Sequence, residues 1–189
     1  GTEEKVGGVR LYIKPPNEPV TVGEPFYMDV ILDNRAFSNI DGVSLLIKYD
    51  PQILEVVDAD HDNFITLQRN IHDGPFHDQF PWNYHIDNVV YQHRGLISYR
   101  VGTDNPDMTR GKTGPIARIY AVAKRPTQGT AITFRFSRKA RTAGTEVTYN
   151  GRDGLGEPDI FADGAKGIIL PVLPSRDREF AARALEPNE

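Results

Sequence analysis

Two extended apolar runs meet at Asp50-Pro51, and no other stretch of the chain constrains its fold as much. Across residues 42–49, Val43, Leu45, Ile47 and Tyr49 alternate with Ser44, Leu46 and Lys48. A period of two puts the first set on one face of a strand and the second on the other. Proline has no N–H to give to a ladder and fixes its own φ, so the strand must stop or turn at Pro51. Leu54, Glu55, Val56 and Val57 resume an extended pattern at once. A strand, a proline-marked break and a returning strand predict a corner of a β-sandwich.

The same alternation recurs on both sides of this corner. Val9, Leu11 and Ile13 make a first strand, ended by Pro15, Pro16 and Pro19, and Phe26, Met28, Val30 and Leu32 a second after a turn at 22–25. Residues 84–91 are extended, 92–95 read as a hairpin turn, and Ile97, Tyr99 and Val101 point inward with Ser98 and Arg100 outward. In the strand at 116–123, Ala117, Ala121 and Ala123 flank Ile119, and small residues there let an opposing sheet come close. After a turn at 126–129, Ile132, Phe134 and Phe136 are expected inward, so the predicted core includes Val43, Leu45, Ile47, Tyr49, Phe134 and Phe136. Val147 and Tyr149 mark a short strand, 150–165 a glycine-rich loop, and Ile168, Leu170 and Val172 a closing strand. Residues 64–67 are also strand-like.

Eight or nine strands with turn signals between them and almost no helical pattern predict an all-β sandwich. It occupies residues 9–173 as one domain, between a frayed polar terminus at 1–8 and a tail at 174–189. In the tail Ser175 is placed as an N-cap and Phe180, Ala181 and Ala184 share one helical face, so this segment is a short helix or a linker.

Composition narrows the function. A net charge of −4 with no basic stripe argues against nucleic acid, and no apolar run approaches the ~20 residues that span a bilayer. With no cysteine there is no disulfide, thiolate nucleophile, cysteine-held zinc or iron–sulfur cluster. No Gly-x-Ser-x-Gly and no phosphate-binding glycine loop occurs. The acidic glycine-rich run at 153–159 lacks the order of a calcium-binding EF-hand loop and reads as a turn. Asp58 and Asp60 read as solvated turn residues, not as a glycosidase pair. No catalytic residue, cofactor or enzymatic activity is expected. Gly1 stands where an initiator methionine would, and no signal peptide precedes it, so the sequence reads as a mature or excised fragment.

Several of these features together resemble the cohesin family. They are the Val22-Gly23-Glu24 turn before the second strand, the Lys-Tyr-Asp-Pro-x-x-Leu-Glu-Val corner from Lys48 to Val56, Gly95 opening a strand, and a Thr-x-Gly-Thr turn at 127–130. The resemblance covers nearly all of residues 9–173. It implies a two-sheet jelly-roll β-sandwich of about nine strands, a non-catalytic protein-binding module, and an extracellular or cell-surface bacterial setting. It also implies a partner: cohesins typically bind dockerins, small calcium-loaded helical modules, on the outer face of one sheet. That sheet would hold the strands at 43–49, 84–91, 96–101 and 131–137, with Ser44, Leu46, Lys48, Ser98 and Arg100 facing the partner. Many dockerin binders carry Asn and Asp at the start of the third strand, where this chain has Gly42 and Ser44. That departure points toward cohesin-like domains outside the classical cellulosomal group.

A second departure is an aromatic and histidine-rich insertion at 70–88. Phe76, Phe80, Trp82 and Tyr84 sit among His72, His77 and His85, and all five histidines of the chain fall between His61 and His93. Imidazole and carboxylate suit transition metals, but the spacing matches no metal motif, and no metal is expected. Three readings are open: a loop pinned by aromatic anchors, a partner-binding loop, or a metal site. Binding energy concentrates in Trp, Tyr and Arg side chains. Phe76, Phe80, Trp82 and Tyr84 are therefore candidate partner contacts, with Trp82 expected to be at least partly accessible. The same aromatics stacking on sugar rings would instead make a carbohydrate-binding module with a polysaccharide partner.

Overall fold

The computed structural model describes residues 9–57, 80–136, 144–149 and 164–176. Twelve strand segments occur among them: β1 (Arg10–Lys14), β2 (Val20–Thr21), β3 (Phe26–Asp33), β4 (Ile40–Lys48), β5 (Leu54–Val56), β6 (Tyr84–Tyr91), β7 (Leu96–Gly102), β8 (Thr113–Ala123), β9 (Thr127–Phe134), β10 (Glu146–Tyr149), β11 (Ala165–Lys166) and β12 (Ile168–Leu173). The smaller sheet runs β11-β1-β3-β8-β5 and the larger one β2-β12-β9-β4-β7-β6, with β10 also paired to β4. The two sheets face each other as a jelly-roll sandwich. The strands expected at 43–49, 84–91, 96–101 and from 131 onward do share one sheet, as β4, β6, β7 and β9.

The Asp50-Pro51 corner carries the chain from the large sheet to the small one. β4 pairs with β7 and β9, whereas β5, only five residues later, pairs with β8. Asp50 builds the corner. Its carbonyl accepts from the N–H of Ile53 (3.1 Å) and of Leu54 (3.0 Å), and its Oδ1 accepts from the N–H of Gln52 (2.9 Å). Gly95 closes over it from the β6–β7 turn. A methyl group there would lie 2.1 Å from the Tyr49 carbonyl oxygen, and φ is +63°, so only glycine fits.

The core is the set of inward side chains that the alternation marks. Val43, Leu45, Ile47 and Tyr49 of β4 and its exit are buried, as are Ile97, Tyr99 and Val101 from β7 and Phe134 from β9. Ala117, Ile119, Ala121 and Ala123 of β8 are buried too, so the small residues do line the interior. Each large apolar side chain so buried is worth about 1.5–3 kcal/mol. Phe136 departs from expectation. It is more than one-third exposed and lies two residues past the end of β9 at Phe134.

Four further differences come from pairing between distant segments. The expected turn at 127–130 lies within β9, joined to β12 through a bulge at Leu170/Val172. β2 and β11 are two residues each, too short for a period, and both are held by parallel pairing. β8 begins at Thr113, inside the expected loop. The strand-like run at 64–67, the terminus at 1–8 and the helical pattern around Phe180 lie outside the described residues.

The outer face of the small sheet carries a buried ion pair. Arg118 donates from Nε to Asp29 Oδ1 (2.7 Å) and from Nη2 to Asp29 Oδ2 (3.0 Å), and its guanidinium sits 3.9 Å from the centroid of the Tyr27 ring. Register explains the pair, since Asp29 and Arg118 are direct neighbours across β3 and β8.

Candidate protein-binding face

β6, β7, β4 and the strands beside β4 form a continuous outer surface. Register aligns its side chains in rows. Tyr91, Leu96, Lys48 and Thr133 form one, and Val89, Ser98 and Leu46 the next. Asp87, Arg100, Ser44 and Glu146 follow, then Tyr84, Gly102, Gly42 and Thr148. The patch is about 20 Å along the strands and roughly 14 Å across them. Ser44, Leu46, Lys48, Ser98 and Arg100 are all half-buried on this face, where the alternation places them.

β4 shares one edge between two partners. β9 pairs with its end at Ile47 and Lys48, and β10 pairs with its start from Ile40 to Ser44. Thr145 bridges the seam. Its hydroxyl accepts from the Leu46 N–H (3.1 Å) and donates to the Leu46 carbonyl (3.1 Å). This bond holds Leu46 rigidly at the centre of the face. Ser44 is tied down too, its hydroxyl donating to the Gly144 carbonyl (3.1 Å).

The polar row is organised around charge. The Ser98 hydroxyl donates to Asp87 Oδ2, Arg100 lies between Asp87 and Ser44, and Glu146 stands opposite Ser44. Glu146 is a site residue that strand patterning missed. It adjoins β4 only because β10, about a hundred residues later, pairs there. At one end of the face Lys48 Nζ donates to the Arg94 carbonyl, and the Arg94 guanidinium lies 5.7 Å from the Tyr91 ring centroid.

The edge strand β6 supplies the protruding apolar groups. Tyr84, Ile86 and Tyr91 are exposed. A bulge between His85 and Asp87 leaves Ile86 unpaired, turned out and 67% exposed. Alternation alone does not show a bulge, so Ile86 escaped the sequence reading.

The insertion contributes less to this surface than expected. Phe80 and Trp82 are each only 4% exposed and belong to the core, which corrects the expectation that Trp82 is accessible. Their rings stack, with centroids 5.5 Å apart. Burying two large aromatics in contact outweighs leaving them in water. Tyr84 alone of the four aromatics is exposed among the described residues, and Phe76 lies outside them, as do His61, His72 and His77. Among the described residues no three His, Asp or Glu side chains converge as a metal site would require, and no helix is long and apolar enough to cross a membrane.

No protein-family model matches the sequence, and no curated protein matches it. Solved structures do. A type II cohesin domain from the cellulosome of Acetivibrio cellulolyticus superposes with a TM-score of 0.61 at 16% identity, covering 86% of this chain and 94% of that one. The chain has the cohesin fold. A type II cohesin from Bacteroides cellulosolvens matches with a TM-score of 0.56 at 17% identity over 87% of this chain and 99% of that one. A type I cohesin–dockerin complex from Clostridium thermocellum gives 0.55 at 13% identity, again over 87% and 99%. At such identities the likeness is one of fold, so the chemistry of the face has to be read from this chain's own residues.

Proposed function

We propose that this chain is a non-catalytic protein-binding module that takes a dockerin-like helical partner on the outer face of β4, β6, β7 and β9. The observation that carries this reading is the composition of that face. A half-buried apolar centre at Leu46 and Val89 is ringed by Tyr84, Ile86 and Tyr91, with one charged row of Asp87, Arg100 and Glu146. An apolar centre with a polar margin is the usual make-up of a protein interface. Dockerin-bound cohesins among the similar structures support the choice of partner.

Gly42 and Ser44 offer no large side chain, so recognition rests on β6, Arg100 and Glu146 and not on the start of β4. The setting that goes with this function is extracellular or at the cell surface. A polysaccharide-binding role loses support, because Phe80 and Trp82 are buried and only Tyr84 of the insertion's aromatics is exposed among the described residues.

Calorimetric titration of the purified chain with a panel of calcium-loaded dockerin modules tests the proposal. Binding by the native chain is expected, and Leu46→Asp should weaken it at least about 30-fold, a loss of roughly 2 kcal/mol typical of a hot-spot position. Native chain that binds no dockerin, or a Leu46→Asp variant that binds unchanged, would sink it.

A further inference from the structure

Phe37 is the one non-glycine residue among those described with a left-handed backbone, at φ +62°, and it is 66% exposed. A bulky side chain is a steric outlier in that region, where glycine or asparagine is usual. An exposed ring returns little burial for the strain. Hydrogen bonds around Asn34 hold the loop in this conformation.

Asn34 is the centre of that restraint. It is fully buried, and its amide donates to the Ser38 carbonyl (2.7 Å) and to the Thr109 carbonyl (2.8 Å). Its Oδ1 accepts from the Ser38 N–H (3.1 Å), and its own carbonyl accepts from the N–H of Phe37 (3.1 Å) and of Gly111 (2.9 Å). The Thr109 hydroxyl donates to the Pro106 carbonyl (2.7 Å) and accepts from the Ile40 N–H (3.0 Å). The loop before β4 and the loop after β7 are thereby knotted together. One edge of the Phe37 ring rests on Gly111, where a methyl group would come within 3.0 Å of it, and most of the residue is exposed.

This knot stands at the Tyr84 end of the candidate face. The Thr103 N–H donates to the Asp41 carbonyl (2.9 Å), the Asn83 N–H to the Gly102 carbonyl (3.0 Å), and the Asp104 N–H to Asn83 Oδ1 (3.1 Å). Tyr84 lies over Gly102 in the last row of the sheet. The loop that carries Phe37 therefore stands at the same end of the sandwich as Tyr84.

We propose that the recognition surface extends off the sheet onto this loop, and that Phe37 is an anchor entering an apolar recess on the protein that covers the face. The inference rests on the protein-binding reading above. A strained, rigid and exposed aromatic is suited to that task because its ordering cost is met before binding.

Phe37→Gly separates binding from folding, since glycine accepts the left-handed backbone without strain. The variant should melt within ~3 °C of the native chain and bind the dockerin module taken by the native chain at least about tenfold more weakly. Phe37→Asn, which also tolerates this backbone, should behave the same way. Unchanged affinity in Phe37→Gly, with Leu46→Asp still weakening binding, would overturn this inference and leave the face intact. Loss of stability together with affinity in both variants would make the ring a structural cover over Gly111 and would also overturn it. Native chain that binds no dockerin module removes the face and Phe37 together.

Discussion

The indole of Trp82 lies against the ring of Phe80 with their planes 18° apart, inside the sandwich at the entry to β6. The pair plugs the core just ahead of β6. It anchors the first residues of the face from beneath.

Trp82→Ala should therefore cost about 3–5 kcal/mol of stability, through lost transfer energy and the cavity left behind. Urea unfolding measures it. Trp82 is the only tryptophan of the chain, so native fluorescence should also be blue-shifted and resist quenching by acrylamide. A variant that unfolds at the native midpoint would return the indole to the surface.

Asp33 should contribute to acid sensitivity. The Arg35 guanidinium donates to both of its carboxylate oxygens, with Nη2 to Oδ2 at 2.7 Å, and Thr113 donates a further bond of 3.0 Å. The bond to Arg35 holds the Asp33 carboxyl below the usual carboxylate range, against the opposing pull of burial. A carboxyl with a depressed folded value stabilises the native state above its unfolded pKa, near 3.9. That contribution is lost as pH falls through the lower folded value. Melting temperature measured from pH 6 down to about 2 should fall less steeply in Asp33→Asn than in the native chain. Equal acid limbs would contradict the assignment.

Tyr49 governs the alkaline side. Burial, with a smaller effect of Glu55, pushes its phenol up to about 12. Its hydroxyl donates to Gln92 Oε1 (2.5 Å), joining the β4 exit to the β6–β7 turn. A phenol with a raised folded value gives stability that is whole below the unfolded pKa near 10 and is lost as pH rises to the folded value. Tyrosinate absorbance should show Tyr49 still protonated above pH ~11 in the native chain. Tyr49→Phe should remove that late step and, with it, the loss of stability in this window. A native titration with every tyrosine ionising near pH ~10 would refute this.

How much of the molecule is legible in the sequence depends on the reach of the interaction. Val43, Leu45, Ile47 and Tyr49 are inward because alternation is a local property of a strand, and Ser44, Leu46 and Lys48 are outward for the same reason. The Asp50-Pro51 corner is equally local: a missing N–H and a fixed φ stop a strand whatever surrounds it. Alternation likewise turns Ser98 and Arg100 outward on β7, but that the five share one face follows from the pairing of β4 with β7, which only the resemblance implied.

Other features were decided by the assembled sandwich. Trp82 and Phe80 precede β6 with no period to orient them, and they turn inward because the end of the sandwich has room for both rings. Glu146 joins the face because the edge of β4 left open by β9 accepts β10. Ile86 projects because its strand takes one residue more than its partner, and Phe37 is strained because Asn34 and Thr109 knot two distant loops. Each of these depends on pairing between segments far apart in the chain. A sequence pattern records which faces are apolar, whereas only the closed fold fixes which strand edges remain open and which loops meet.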